Sequence, residues 1–198
     1  MSNSINIKDP NININWLIQS AKNGDDYAQY NLALLLYYND DEGTEKNLEK
    51  AFHWFQKAAE KDHILAQYNL ASLYYNGEGT ENNLEKAFYW FQKAAESGND
   101  DAQYNLALLY YNGEGTENNL EKAFYWYQKA AEKGDDDAQY NLALLYYNGE
   151  ETEKNLEKAF YWYQKAAESG NKSAMNNFAI CYENRKGTEK NSEKAFYW

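Results

Sequence analysis

The sequence predicts an all-α solenoid of stacked helix-turn-helix units, and three observations predict it. First, the block Asn119-Leu120-Glu121-Lys122-Ala123-Phe124-Tyr125-Trp126-Tyr127-Gln128-Lys129-Ala130-Ala131 returns with small changes from Asn47, Asn83 and Asn155, always 36 residues apart. Second, on a helix Leu120, Ala123, Trp126, Tyr127, Ala130 and Ala131 share one side, while Glu121, Lys122, Lys129 and Glu132 share the other. One such helix cannot bury its Trp and Tyr alone, so its partner is another copy of the unit. Third, no window alternates with period two, so no strand is expected.

Taken in order, residues 1–11 are polar, contain the only proline (Pro10) and read as a disordered tail. Residues 12–27 form a half repeat. Trp16 aligns with Trp126, Leu17 with Tyr127, Ala21 with Ala131 and Gly24 with Gly134, so this segment is a second helix without its first, suited to capping a stack. Full units follow at 28–65, 66–101, 102–137 and 138–173. The first is two residues longer than the others, and the extra residues are expected between Leu32 and Gly43, one in the helix end and one in the turn. A truncated repeat spans 174–198. Trp198 stands where Trp126 stands, in mid-helix, which suggests a piece of a longer protein with a fraying Asn191–Trp198 end.

Within a unit, helix A is expected from about Asp101 to Asn112. Gly113 can take the left-handed conformation that closes it, and Glu114-Gly115-Thr116 form the turn. Asn119 is placed to cap helix B. Gly134 closes that helix, and Asp135–Asp137 bring acids to the positive end of the next one.

Composition narrows the function. A net charge of −12 argues against nucleic acid, whose phosphates need clustered Lys and Arg. It argues equally against an anionic membrane surface. A basic or neutral protein partner stays open, beside the plain reading of acidity as a solubility device. Cys181 is the only cysteine. It excludes a disulfide framework within the chain and a Cys-rich metal site, and its helical neighbours Ile180 and Tyr182 predict a buried hydrophobe. There is no signal-peptide core and no apolar run near the ~18 residues of a membrane span. A soluble, reducing, cytoplasmic setting is therefore expected, and the Asn171-Lys172-Ser173 sequon is discounted.

At Ala102, Leu106, Tyr110, Gly113, Gly115, Lys122, Ala123, Trp126, Tyr127, Lys129, Ala130, Ala131 and Gly134 the chain resembles a Sel1-like repeat protein, a relative of the tetratricopeptide solenoids. The resemblance covers about residues 12–198. Ala107, Thr116 and Asn119 depart mildly from the pattern. Glu151 replaces the second loop glycine of the fourth unit, and Arg185 the first loop glycine of the fifth. The resemblance implies a right-handed superhelix with the A helices lining a concave face, and a scaffold or adaptor role. Some fungal members carry the repeats beside a protein kinase, but no Gly-rich loop, HRD or DFG is present here. A cysteine-rich branch is linked to β-lactam binding, and its paired cysteines are absent.

Helix A carries two apolar faces. Ala102, Leu106, Leu109 and Tyr110 match the family core. Tyr104, Leu108 and Tyr111 form a second stripe, with counterparts Tyr30, Leu34 and Tyr38; Tyr68, Ser72 and Tyr75; Tyr140, Leu144 and Tyr147. Asp101 and Asp137 flank it. The family arrangement turns this stripe into the groove, which is expected to bind an extended peptide or a helix of another protein. The alternative is packing between neighbouring A helices. In the fifth unit the stripe becomes Asn176, Ile180 and Glu183, so the groove should stop near residue 173.

A further ladder, His53, Tyr89, Tyr125, Tyr161 and Tyr197, reads as tyrosines lying over lysine stems on a solvated face, or as a lateral contact with a second chain. His53 and His63 lack ligand-spaced partners, so neither metal nor catalytic chemistry is expected. The repeated Gly-x-Gly lies between helices and is a turn, not a phosphate cradle.

The expected function is non-catalytic protein–protein binding without a cofactor, by a monomer with self-association left open. Two alternatives stand beside it: a regulatory or docking segment of a larger enzyme such as a kinase, and a structural repeat expansion without a dedicated ligand. Units 66–101 and 102–137 differ at only four positions (72, 91, 97 and 99 in the first), so sameness between units is partly inheritance.

Overall fold

The computed structural model describes residues 14–38 and 45–198. The expected tail at 1–11 and most of the first turn lie outside the described residues. Among those residues there are eleven α-helices and no strand, the all-α helix-turn-helix solenoid that the repeat predicts. They fall into two compact units, meeting between Asn99 and Asp100.

The first unit holds α1 (Ile14–Lys22), α2 (Asp26–Tyr38), α3 (Glu45–Ala59), α4 (Ile64–Asn76) and α5 (Leu84–Glu96). Helix α1 packs on the repeat that follows it. Leu17 and Ala21 pack on Ala28 and Leu32, and Trp54 of the following B helix lies against the same cluster. Helix α2 has 13 residues, as does α4. The two helices run in the same register as far as Tyr38, and the expected placement of the two extra residues, in the helix end and the turn, lies outside the described residues.

The second unit holds α6 (Asp100–Asn112), α7 (Leu120–Lys133), α8 (Asp136–Asn148), α9 (Leu156–Glu168), α10 (Lys172–Asn184) and α11 (Ser192–Tyr197). Its B helices are amphipathic in the predicted sense: Ala123, Tyr127, Ala130 and Ala131 are buried, and Glu121, Lys122, Lys129 and Glu132 are exposed. The Asn119 side chain accepts the Lys122 N–H at 2.9 Å, and Asn83, Asn155 and Asn191 repeat this cap. Each saves an amide that the first helical turn cannot satisfy. The short α11 buries none of its residues, although the Trp198 ring lies 5.3 Å from Phe178.

A second tie joins α1 to α2, α3 to α4 and α7 to α8. The buried Gln29 donates to the Ala21 carbonyl at 3.0 Å, Gln67 to Ala59 at 3.3 Å and Gln139 to Ala131 at 3.1 Å. Each is a second bond to a carbonyl at the helix end that also accepts the backbone N–H of Gly24, Asp62 or Gly134.

The turns need left-handed backbone, and some positions supply it without glycine. Gly113 and Gly134 have φ of 73° and 101°, as their capping roles require, whereas Asp62, Glu151 and Arg185 reach 62°, 54° and 55° with side chains attached. Gly79 is constrained twice, because a Cβ there would meet the Leu48 carbonyl oxygen at 2.3 Å. Gly98 has a similar φ and open space around it. Gly98→Ala should therefore cost about 1–2 kcal/mol from φ alone, and Gly79→Ala about 3 kcal/mol or more once the clash is added. Thermal or urea unfolding of the two variants checks this, and equal losses would refute the close-approach account.

Candidate functional site

The tyrosine stripe is built on A helices but rests on B helices. Tyr127 is buried in α7, and Tyr104 and Tyr111 of α6 flank it at ring-centroid distances of 6.0 and 6.5 Å. Tyr140 and Tyr147 stand in the same way over Tyr163, at 6.0 and 6.4 Å. In the first unit Tyr30 lies 5.9 Å from Phe55, and Tyr68 lies 5.8 Å from Phe91. Desolvation pushes the Tyr127 and Tyr163 hydroxyls well above the ordinary tyrosine value.

The first tyrosine of each stripe thus leans on the core. Tyr30 is buried, and Tyr68, Tyr104 and Tyr140 are half-buried. Burial, followed by the Asp137 carboxylate, raises the Tyr104 pKa, while a hydrogen bond with the Asn141 side chain works the other way. The packing partner is the B helix of the same repeat, with a polar tie to the next A helix. Leu108 and Leu144 are half-buried between these tyrosines. Asp101 and Asp137 are exposed, and Asp137 accepts a 2.8 Å hydrogen bond from Asn171.

The second tyrosine of each stripe sits nearer to solvent. Tyr111 is 37% exposed, and Tyr75 and Tyr147 are half-buried. In α2 this place belongs to Tyr37, whose pairing with Glu78 matches that of Tyr111 with Glu150. Tyr38 lies one position on and is 63% exposed. Two pairs show the shared register: the Tyr37 hydroxyl donates to Glu78 at 2.8 Å, and the Tyr111 hydroxyl to Glu150 at 3.4 Å. The Glu78 hydrogen bond, then burial, lifts the Tyr37 pKa to about 12. Sequence reasoning missed Tyr37, Glu78 and Glu150. The residue just after the first loop position, read in every repeat, carries the signal.

Beside Tyr111 the surface opens into a cleft of ≈ 150 Å³, lined by Tyr111, Tyr127, Asn141, Leu144, Leu145, Asn148 and Glu150. One repeat on, Lys186 stands where Glu150 stands. Its ammonium lies 4.6 Å from the Tyr147 ring centroid and donates to the Tyr147 hydroxyl. The stripe does change in α10, where Asn176, Ile180 and Glu183 are all exposed.

Elsewhere the predicted packing roles are filled. Lys93, Lys129 and Lys165 lie over the Tyr89, Tyr125 and Tyr161 rings at 5.9, 5.2 and 5.9 Å. Cys181 is free and buried, and burial pushes its thiol up to about 11, which keeps it protonated and unreactive. No group of three or more potential metal ligands exists among the described residues. Among them, too, no helix is long and apolar enough to cross a membrane.

The comparisons with known proteins fit this geometry. The Sel1 repeat model matches residues 26–63, 64–99, 100–135, 136–171 and 172–198. The chain belongs to the Sel1 repeat family. A Sel1 repeat protein from Oxalobacter formigenes is 34% identical, with a TM-score of 0.84 over 93% of this chain and 75% of its own. The protective antigen c5321 of uropathogenic Escherichia coli, which displays the same type of fold, is 30% identical with a TM-score of 0.86. That match covers 92% of this chain but only 38% of the antigen. No curated protein matches the chain. Sel1 repeat proteins are in general protein-interaction scaffolds.

His63 is structural. Its Nδ1 accepts the Ala66 N–H at 3.2 Å, capping α4, and its ring stacks on Tyr30 at 4.5 Å. Burial lowers its pKa from the usual 6.5, against an opposing pull from Asp26. Protonation would occupy the capping nitrogen. The unfolded chain protonates near the usual value while the folded chain resists, so this stability is present above that value and is lost as pH falls through the folded one. The wild-type melting temperature should drop more than that of His63→Asn between about pH 7.5 and 5.5. Asn caps the equivalent site at Asn171. Parallel pH profiles from calorimetry would contradict the assignment.

Proposed function

We propose that the chain is a non-catalytic adaptor that binds an extended peptide, or a helix of another protein, along the tyrosine-lined face of its A helices. The observation that carries this reading is the Tyr111–Leu144–Glu150 cleft. Aromatic and aliphatic walls supply contact area at low entropic cost, and the amides and the carboxylate supply hydrogen-bonding orientation. Small concave sites of this kind suit one side chain of a longer ligand. The family assignment supports a binding role, and a cytoplasmic setting accords with a buried, reduced Cys181.

The double role of the tyrosines determines the test. Tyr104→Ala removes a ring leaning on the core and should cost about 2 kcal/mol or more of stability. Tyr111→Ala removes a partly exposed ring and should cost under about 1 kcal/mol. Peptides selected by display against the immobilised wild-type chain should bind Tyr111→Ala at least several-fold more weakly in a fluorescence titration. Selection of no saturable peptide, or equal binding by a folded Tyr111→Ala, would overturn the proposal.

A further inference from the structure

We propose that the Tyr111–Glu150 cleft receives a lysine or arginine side chain, so that the partner of this face is a basic peptide segment. The inference rests on the docking reading above and specifies its chemistry.

The cleft has the polarity of a long cationic side chain. Leu144, Leu145 and the rings of Tyr111 and Tyr127 line a volume of ≈ 150 Å³ suited to an aliphatic stem. Asn141, Asn148 and Glu150 line the same volume and can receive the donors of its head. Glu150 is already held in place but keeps capacity. One of its oxygens accepts from Asn148 at 2.8 Å, while the other has only the 3.4 Å contact with Tyr111. The matching Tyr37–Glu78 bond is 2.8 Å. A carboxylate has room for more acceptor contacts than these two.

The next repeat shows what this tyrosine position takes. Lys186 sits on Tyr147 at 4.6 Å, and Lys154 lies over the same ring at 5.2 Å. Both are cation–π contacts made by the chain's own lysines. Among the described residues no Lys or Arg lies over Tyr111. There the loop residue is an acid, and the cation has to come from outside. The net charge of −12 acts in the same direction, attracting a basic segment and repelling an acidic one. A neutral side chain could fill the volume but would gain nothing from Glu150.

Sequencing the display-selected peptides tests the idea on the full chain. One position should be dominated by Lys or Arg. Replacing that residue by norleucine in a synthetic peptide should weaken binding roughly tenfold, the worth of one cation–π contact with its ion pair. Glu150→Lys copies the residue found at 186, should keep the melting temperature, and should weaken the same peptide by tenfold or more. Peptides without a dominant basic position, or tight binding to a folded Glu150→Lys, would overturn the cation assignment and leave the docking face standing. Recovery of no saturable peptide would remove both.

Discussion

The structure depends on how closely alanines let helices approach. Ala123, Ala130 and Ala131 of α7, and Ala102 and Ala107 of α6, are all essentially inaccessible to solvent. Their methyl groups bring backbones together at a distance that no larger side chain would allow. At that spacing Gln139 can reach the Ala131 carbonyl, and Tyr127 fills the remaining slot beneath the A helix. The left-handed turn at Gly79 answers the same constraint, since the loop passes directly over the Leu48 carbonyl.

The proposed binding surface and the core are consequently not separate layers. Tyr104 and Tyr140 reach the A-helix face only because Tyr127 and Tyr163 support them from below. Specificity moves outward along the helix, to its C-terminal end and the loop behind it. There a single exchange, Glu150 to Lys186, changes the neighbour of the tyrosine from an acceptor to a cation while the helices beneath keep their caps.

Much of this was legible in the sequence. The 36-residue period located both helices of each repeat, the Asn caps and the buried face of helix B, because each depends on local pattern. The burial of Leu17 and Ala21 was legible too, since they fall in register with Tyr127 and Ala131. The placement of Tyr38 failed for one reason: the length of the first repeat does not say where its extra residues go. The described helix keeps its register through Tyr38, and Tyr37 takes the site. The Tyr–Glu pairs were invisible because they join residues about a repeat apart, on a helix end and a loop, where no periodic signal links them. His63 looked like a loop residue. Its capping nitrogen and its stack on Tyr30 arise only once two helices meet.

The near-identity of the repeats at 66–101 and 102–137 has a kinetic side. During folding, a helix pair that docks one repeat out of place presents almost the same buried side chains as the correct one. Local stability therefore cannot discriminate between registers, and misdocked intermediates form with comparable energy. What distinguishes the registers is the set of odd members: Leu17 where other repeats have an aromatic residue, the two additional residues of the first repeat, and Phe178 with Cys181 in α10. These irregularities count the repeats, and replacing them with consensus residues would trade a single native alignment for several.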